Sequence, residues 1–258
     1  MKVMSLIILI FLVSCGQFVD SPYATNAENL QKNIENIEII QESFVTQDFK
    51  IAFISDTHNY YDDLRDQIDF INSRNFDFVI HGGDATNLGM QREWDKFFGI
   101  IEELNIPYVV AIGNHDMLSN GTAVYQNLFS RKLNFSFLRG ATLFIIHNNN
   151  NWESSREEEV PNVSFLREQL ERNDYEQAIL IGHVQLDDDD RYSQGQINQL
   201  KELTSNYNVP FVINGHNHNP GEGTFGKATR LTIGSSAFRK VLSFEKKGDE
   251  FIYEFLDI

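Results

Sequence analysis

Five short apolar segments of the chain each end in a cluster of aspartate, asparagine or histidine, and this recurrence constrains the fold more than any other feature. Glycine directly precedes the first polar residue in four of the five clusters, which begin at Asp56, Asp84, Asn114, His183 and His216. In open α/β sheets, ligands bind at the carboxyl ends of the strands. The sequence therefore predicts that all five clusters converge on one crevice.

Buried strands and amphipathic helices alternate in the first half of the domain. Residues 50–55 form a continuous apolar run, as expected for a strand that is covered on both faces. Strands are also predicted at 76–80 and 108–112, with helices at 61–73 and 91–104, where apolar residues recur at helical spacing. This βαβαβ order predicts parallel strands that are joined by right-handed crossovers.

The second half of the chain is richer in predicted strands. Helices are expected at 162–171 and 195–205, and strands at 133–138, 142–147, 178–182, 210–214, 229–233, 240–246 and 250–257. The last two strands are separated by Lys247-Gly248-Asp249, which is typical of a hairpin turn. The fold class is therefore predicted to be α/β, and the sequence shows no internal repeat.

The polar clusters have the chemistry of a metal site. Carboxylate, imidazole and amide oxygen groups are ligands for borderline and hard divalent cations, and an aspartate can bridge two of them. Glycine before a ligand lets the backbone turn sharply and approach the metal closely. The chain has one cysteine, Cys15, so it can form neither an internal disulfide nor a cysteine-rich metal site.

The order of the clusters resembles that of the calcineurin-like metallophosphoesterases. Their pattern is Asp-x-His, Gly-Asp, Gly-Asn-His-Asp/Glu, a lone Gly-His and then Gly-His-x-His, and all five blocks occur here within about residues 49–235. The complete set is specific, although each block alone is weak. The resemblance implies an α/β/β/α sandwich with a βαβαβ core and a metal site at the carboxyl ends of the strands.

Carried over residue by residue, the resemblance implies a centre of two divalent metal ions, such as manganese, iron or zinc. One ion would be bound by Asp56, His58 and His218, the other by Asn114, His183 and His216, with Asp84 as the bridge. His115 would face the substrate, and Asp116 would orient His115. The ions would clamp the phosphoryl group and acidify a bridging water, which then attacks phosphorus without a covalent enzyme intermediate.

Other polar residues have simpler interpretations. His81 and His147 are expected to be structural, and Asp187–Asp190 to be a solvated acidic loop, although that loop could also lie at the rim of the site. The chain departs from many members of the family at Asn59-Tyr60-Tyr61 and at Val184-Gln185. Neither segment supplies a ligand, but both could reshape the mouth of the site.

The first residues of the chain look like a targeting signal. One lysine precedes an apolar run that is too short to span a membrane, which is the pattern of a secretory signal peptide. The run ends in Leu12-Val13-Ser14-Cys15-Gly16, which resembles the bacterial lipobox, where the cysteine is lipidated. Alternatives are a plain signal peptide or a buried strand. We expect a signal peptide at 1–14, a tether at 15–36 and the phosphoesterase domain at 37–258, beginning with a short strand.

The net charge of −16 and the lack of any run of lysine or arginine disfavour nucleic acid as a partner. The sequence therefore predicts hydrolysis of a small phosphomonoester or phosphodiester by a lipid-anchored enzyme of the cell envelope, on its periplasmic or extracellular face. The alternative is a non-catalytic, metal-binding envelope lipoprotein that acts as a binding module. The substrate, the metals and the oligomeric state stay open.

Overall fold

The computed structural model describes residue 25, residues 27–42 and residues 46–258. The predicted signal peptide and Cys15 lie outside these residues. The helices, in chain order, are α1 Lys32–Glu42, α2 Tyr61–Asn72, α3 Gln91–Ile101, α4 Gly121–Leu128, α5 Val163–Leu170 and α6 Gln194–Asn206. None of the helices in the described part of the chain is long and apolar enough to cross a membrane.

The strands form two sheets. In chain order they are β1 Phe49–Ile54, β2 Phe78–His81, β3 Tyr108–Val110, β4 Phe135–Arg139, β5 Thr142–Ile146, β6 Gln177–Ile181, β7 Phe211–Asn214, β8 Gly221–Phe225, β9 Ala228–Thr232, β10 Lys240–Lys247 and β11 Glu250–Asp257. The first sheet has the order β11-β10-β1-β2-β3 and the second β4-β5-β6-β7-β9-β8. Strands β1, β2 and β3 are parallel, so the predicted βαβαβ core is confirmed.

The two sheets pack face to face, with helices on both outer faces. Phe53 and Phe78 of the first sheet share an inner core with Phe144 and Ile179 of the second. Phe78 and Phe144 meet with their ring centroids 5.7 Å apart. The predicted α/β/β/α sandwich is therefore confirmed.

Strand β1 shows why its sequence is almost wholly apolar. Ile51 and Phe53 point into the core between the sheets, whereas Ala52 and Ile54 point into the core beneath the helices. Successive side chains of a strand lie on opposite faces, so a strand that is covered on both sides needs apolar residues at every position.

Residues 32–42 form helix α1 rather than the short strand expected from Ile37 and Ile39. The helix buries Asn33, Asn36 and Ile40, a helical spacing that the polar asparagines conceal in the sequence. The amide of Asn33 donates to the carbonyl of Val110 at 2.8 Å and accepts from its N–H at 2.9 Å. Helix α1 thus covers the edge of β3 and crosses the expected domain start at residue 37, which itself stays a prediction.

Two further elements were not expected from the sequence. Helix α4 is only eight residues long, and its buried face of Val124, Tyr125 and Leu128 is too short to give a clear period. Strand β8 is glycine-rich and forms the edge of the second sheet. The predicted hairpin between β10 and β11 is present, and Gly248 has the positive φ of 59° that its turn requires.

Candidate metal centre

All seven predicted metal ligands lie in loops that follow parallel strands. Three of these strands belong to the first sheet and two to the second. Asp56 and His58 follow β1, Asp84 follows β2, Asn114 follows β3, His183 follows β6, and His216 and His218 follow β7. The structure therefore brings the five clusters together across the two sheets.

The backbone at these loops is unusual, because five of the seven residues have left-handed φ angles. The values are 53° at Asp56, 48° at His58, 53° at Asp84, 69° at His216 and 61° at His218. This conformation costs a residue other than glycine roughly 1–2 kcal/mol. Such strain persists only where the surroundings hold it, and it gathers at functional sites.

Glycines let the ligand loops pack against each other. A Cβ atom added to Gly113 would lie 2.1 Å from the backbone nitrogen of Asp84, and one added to Gly83 would lie 2.8 Å from that of Gly113. Gly83 also has a φ of 100°. The glycines before Asp84 and Asn114 are therefore required by close backbone approach.

One group of possible ligands consists of Asp56, His58 and His218, whose ligand atoms all lie within 4.8 Å of one another. The Nε2 atoms of His58 and His218 are 3.2 Å apart, and His218 Nε2 lies 3.5 Å from Asp56 Oδ1. Two imidazole nitrogens and a carboxylate oxygen at these separations form a donor set for a divalent cation.

A second group consists of Asp84, His183 and His216. His183 Nε2 lies 3.1 Å from Asp84 Oδ2, and His216 Nδ1 lies 3.0 Å from the amide oxygen of Asn114. The same Asp84 oxygen is 3.6 Å from His58 Nε2 in the first group. Asp84 therefore faces both groups of ligands.

Burial controls protonation at this site. It lowers the pKa of both His58 and His216 to about 4, so their imidazoles are neutral and have a lone pair free at neutral pH. Burial raises the pKa of Asp56 to about 7. Burial also opposes ionisation of Asp84, but the imidazoles of His183 and His58 outweigh it and hold the pKa of Asp84 below its usual range.

The environment of His183 tests whether a cation fits. Its Nδ1 lies 2.9 Å from the carbonyl of Gly82, which leaves Nε2 facing the Asp84 carboxylate, 3.1 Å from Oδ2. Burial alone would lower the pKa of His183, but Asp84 and Asp56 outweigh it and raise the pKa to about 9. A divalent cation can take the place of the proton that this value implies, with the Gly82 contact fixing the tautomer.

The structure places His115 beside the ligand groups. Its ring packs edge-on against His58, with centroids 4.7 Å apart, and its backbone N–H donates to Asp84 Oδ1 at 2.8 Å. Its Nδ1 lies 2.7 Å from the carbonyl oxygen of Asn87. The Asn87 carbonyl therefore orients the His115 ring.

Asp116 does not orient His115, contrary to the expectation. Its carboxylate is buried and accepts hydrogen bonds from the backbone N–H groups of Gly113, Ala85 and Thr86 and from the Thr86 hydroxyl, at 2.8–3.2 Å. Asp116 thus holds the loop after Asp84 against the loop before Asn114. It supports the position of two predicted ligands rather than that of the substrate-facing histidine.

The residues predicted to be structural lie outside the groups of possible ligands in the described residues. His81 is buried behind the site, with its Nε2 3.0 Å from the Thr57 hydroxyl. His147 is buried, and neither of its ring nitrogens has a hydrogen-bond partner among the residues that the structure describes. In the acidic loop, Asp187 pairs with Arg230, and Asp189 and Asp190 are exposed.

Asn149 is the functional residue that sequence reasoning missed. The polar run after β5 forms a loop, as expected, but Asn148–Asn150 are buried. The Asn149 side-chain oxygen accepts the backbone N–H groups of His183 at 2.9 Å and Val184 at 3.0 Å. Consecutive asparagines directly after an apolar strand were a signal of this role, because that position faces the crevice.

A cavity of about 320 Å³ opens beside the first group of possible ligands. It is lined by His58, Asn59, Tyr60, Asn87, His115 and His218. The segment Asn59-Tyr60-Tyr61, which departs from many family members, therefore contributes two residues to the mouth of the site.

The family model described as calcineurin-like phosphoesterase matches residues 49–220, which include all the predicted ligands. The chain belongs to this family. Together with the grouped aspartates and histidines, membership identifies a metal-dependent phosphoesterase. A phosphodiesterase of Methanocaldococcus jannaschii is 34% identical over 67 residues, which cover 26% of this chain and 36% of that protein. The chain thus spans only about a third of that relative.

Solved structures share the fold at low sequence identity. A purple acid phosphatase from yellow lupin, Lupinus luteus, matches with a TM-score of 0.66 and 15% identity, over 81% of this chain and 51% of that one. A dimetal phosphatase from Danio rerio matches with a TM-score of 0.59 and 12% identity, over 80% and 95% of the two chains. These likenesses show that the architecture is that of metallophosphoesterases.

Proposed function

We propose that the chain hydrolyses a small phosphomonoester or phosphodiester at a centre of two divalent cations. Asp56, His58 and His218 would hold one cation, Asn114, His183 and His216 the other, and Asp84 would bridge them. The observation that carries this proposal is the position of Asp84 Oδ2, 3.1 Å from His183 and 3.6 Å from His58. When bound, two cations neutralise phosphoryl charge and lower the pKa of a coordinated water.

His115 would supply the proton to the departing oxygen. Its Nδ1–H is engaged by the Asn87 carbonyl, so only the other ring nitrogen, Nε2, can exchange a proton with a substrate. With Nδ1–H retained, donation from Nε2 requires the imidazolium form. His115 is therefore oriented to act as a general acid through Nε2.

The proposed location is the cell envelope, with Cys15 as the site of lipidation. The support is the sequence alone: a short apolar run after a single lysine ends at the only cysteine of the chain. Labelling of the expressed protein with a radioactive fatty acid tests this, with Cys15→Ser as the control. Incorporation into the wild-type chain but not into the variant is expected, and equal labelling of both would contradict it.

The hydrolytic proposal is tested on the purified full chain by metal analysis and turnover together. We expect two equivalents of metal per chain and manganese-supported hydrolysis of p-nitrophenyl phosphate or its bis ester, abolished by a chelator. Asp84→Asn should lower the content of both metals, because the bridge serves both sites. A single equivalent in the active wild-type enzyme would overturn the two-cation centre, and no metal-dependent turnover on a broad panel would overturn the hydrolytic function.

A non-catalytic binding module is the competing function. That role would leave the site free to lose ligands or His115, yet six predicted ligands belong to groups that could hold a metal ion, and the seventh, Asn114, contacts His216. The geometry therefore favours the enzyme.

A further inference from the structure

Three large apolar side chains are exposed on loops that carry residues of the candidate metal centre. Tyr60 is 47% exposed, Leu88 46% and Leu118 36%. Each follows a predicted site residue by only a few positions, on the loops that carry His58, Asp84 and His115. Exposed apolar residues that gather beside a site mark a binding surface, whereas single ones are ordinary.

The loops that carry these three side chains pack against one another, since the His58 N–H donates to the Asp84 carbonyl at 3.1 Å. A Cβ atom added to Gly89 would lie 2.2 Å from the carbonyl oxygen of Leu118, which places the loop of Leu88 directly against that of Leu118. Asn87, the neighbour of Leu88 in the chain, lines the same cavity as Tyr60. We define the apolar rim as Tyr60, which lines this cavity, together with Leu88 and Leu118 on the two loops that pack beside it.

The cavity itself is suited to an uncharged group. Its lining residues within the described part of the chain are histidines, asparagines and a tyrosine, with neither lysine nor arginine among them. A leaving group that carries its own phosphate or carboxylate would find no lysine or arginine side chain in this lining to pair with, and it would meet a protein of net charge −16. An apolar group would instead bury the exposed faces of the rim.

A neighbouring cavity contains two cations and offers a competing interpretation. It is lined by Asn59, Tyr61, Asp62, Arg65, Lys96 and Ile100. However, Arg65 pairs with Asp62 at 3.2 Å, and the Lys96 ammonium lies over the Tyr61 ring at 5.2 Å. Both cations are therefore engaged locally, which favours the apolar rim as the surface that receives the substrate.

We infer that the substrates of this enzyme are phosphate esters of a hydrophobic alcohol, with an aryl or long alkyl group held by the apolar rim. The inference rests on the proposed function and specifies its substrate class. In the reaction, water forms the new P–O bond, the P–O bond to the alcohol breaks, and a proton moves to the alcohol oxygen. The released product is then an apolar alcohol, which leaves through the same rim.

Binding of non-hydrolysable alkylphosphonates tests the inference separately from catalysis. Methyl-, butyl- and octylphosphonate are titrated calorimetrically into the manganese-loaded full chain. We expect the dissociation constant to fall roughly two- to four-fold for each added methylene that the rim buries. A dissociation constant that does not change with chain length would overturn the inference.

Variants assign the chain-length dependence to the rim. Tyr60→Ser and Leu88→Ser should each weaken it, whereas Ile252→Ser, at a residue 50% exposed on β11, should leave it unchanged. Two separate rim variants guard against misfolding of one of them. If the dissociation constant depends on alkyl chain length equally in the rim variants, the wild type and the control, the proposed surface is wrong.

Turnover separates failure of this inference from failure of the proposed function. Hydrolysis that favours nucleotides or sugar phosphates over octyl phosphate overturns the apolar rim and leaves the phosphoesterase intact. If octylphosphonate binds much more tightly than methylphosphonate but no ester is hydrolysed, the hydrolytic function is overturned and the apolar rim stands. Comparing the hydrolysis of octyl phosphate in solution with that of phosphatidic acid in vesicles then shows whether the substrate is a free amphiphile or a membrane lipid. Preference for either one supports a hydrophobic alcohol as the leaving group.

Discussion

The side chain of Asn149 holds the backbone of His183, with the Asn149 oxygen 2.9 Å from the His183 nitrogen. The same oxygen accepts the N–H of Val184, and the Asn149 amide donates to the Val184 carbonyl. Because Asn149 is wholly buried, no water can replace these bonds. The position of His183 therefore depends on a residue far from it in the sequence.

Replacement of Asn149 should weaken metal binding. Asn149→Ala leaves two buried N–H groups unpaired and frees the His183 loop, so metal affinity should fall about 10–100-fold. Titration of the metal-free chain with manganese measures this. Asn148→Ala is the matched control, since Asn148 is buried in the same loop but bonds Ser154 and Asn150 instead. Similar affinities in the two variants would show that Asn149 does not position His183.

His115→Ala should slow hydrolysis by about 10²–10⁴-fold, the usual contribution of a general acid. Metal content should not change, because His115 lies outside the proposed ligand sets. Steady-state kinetics and metal analysis on the same preparation check both expectations. A variant that loses its metals would place His115 among the ligands, as its proximity to His58 and Asp84 in a third group of possible ligands would allow.

Two glycines should respond in opposite ways to the same substitution. Gly113→Ala forces a Cβ to within 2.1 Å of the Asp84 backbone, so it should lower both thermal stability and metal content. Gly99→Ala should instead raise stability by about 1 kcal/mol, because Gly99 is exposed within α3 and an added Cβ would meet no described residue within 4 Å. Thermal unfolding of both variants is the measurement, and equal effects would contradict the close approach at Gly113.

The stability of the protein should fall with acid partly through His147. Burial lowers the pKa of His147 to about 4, whereas the unfolded chain titrates near 6.5. The folded state resists protonation, so this contribution is fully present above about pH 6.5 and is lost as the pH falls towards 4, by up to about 3 kcal/mol.

Urea unfolding of the metal-free chain at pH 7.5 and pH 5.0 measures this contribution. His147→Leu should shrink the difference between the two conditions, since it removes the titrating ring. It should cost little stability at pH 7.5, because neither ring nitrogen has a partner to lose in the described part of the chain. An unchanged pH dependence in the variant would show that His147 does not resist protonation in the folded chain.

The sequence predicted those features that depend on local pattern. Strand β1 is apolar at nearly every position because it is covered on both faces, and glycine precedes Asp84 and Asn114 because their loops pack closely. Helix α1 could not be predicted in the same way. Its buried face contains Asn33 and Asn36, whose polar side chains give no apolar periodicity in the sequence. Their burial depends on the exposed edge of β3, a tertiary contact.

The roles of Asp116 and Asn149 were hidden for a related reason. Both side chains bond to backbone groups of loops that come from other strands, at His183 and Val184 for Asn149 and at Ala85 and Thr86 for Asp116. Residue types and spacings identify ligands, because ligands need particular side-chain chemistry. They do not show which backbone amide a buried carboxylate or amide will reach.

The predicted ligands come from loops of both sheets, and this has a consequence for folding. A cation held by Asp56, His58 and His218 would tie a loop of the first sheet to a loop of the second, where Ser235 also bridges Ser55 and donates to the Asp56 carbonyl. Such an ion would link two halves of the sandwich that are distant in the chain. The ion could bind only after the two sheets have packed in the correct register. A misfolded chain would therefore contain no metal.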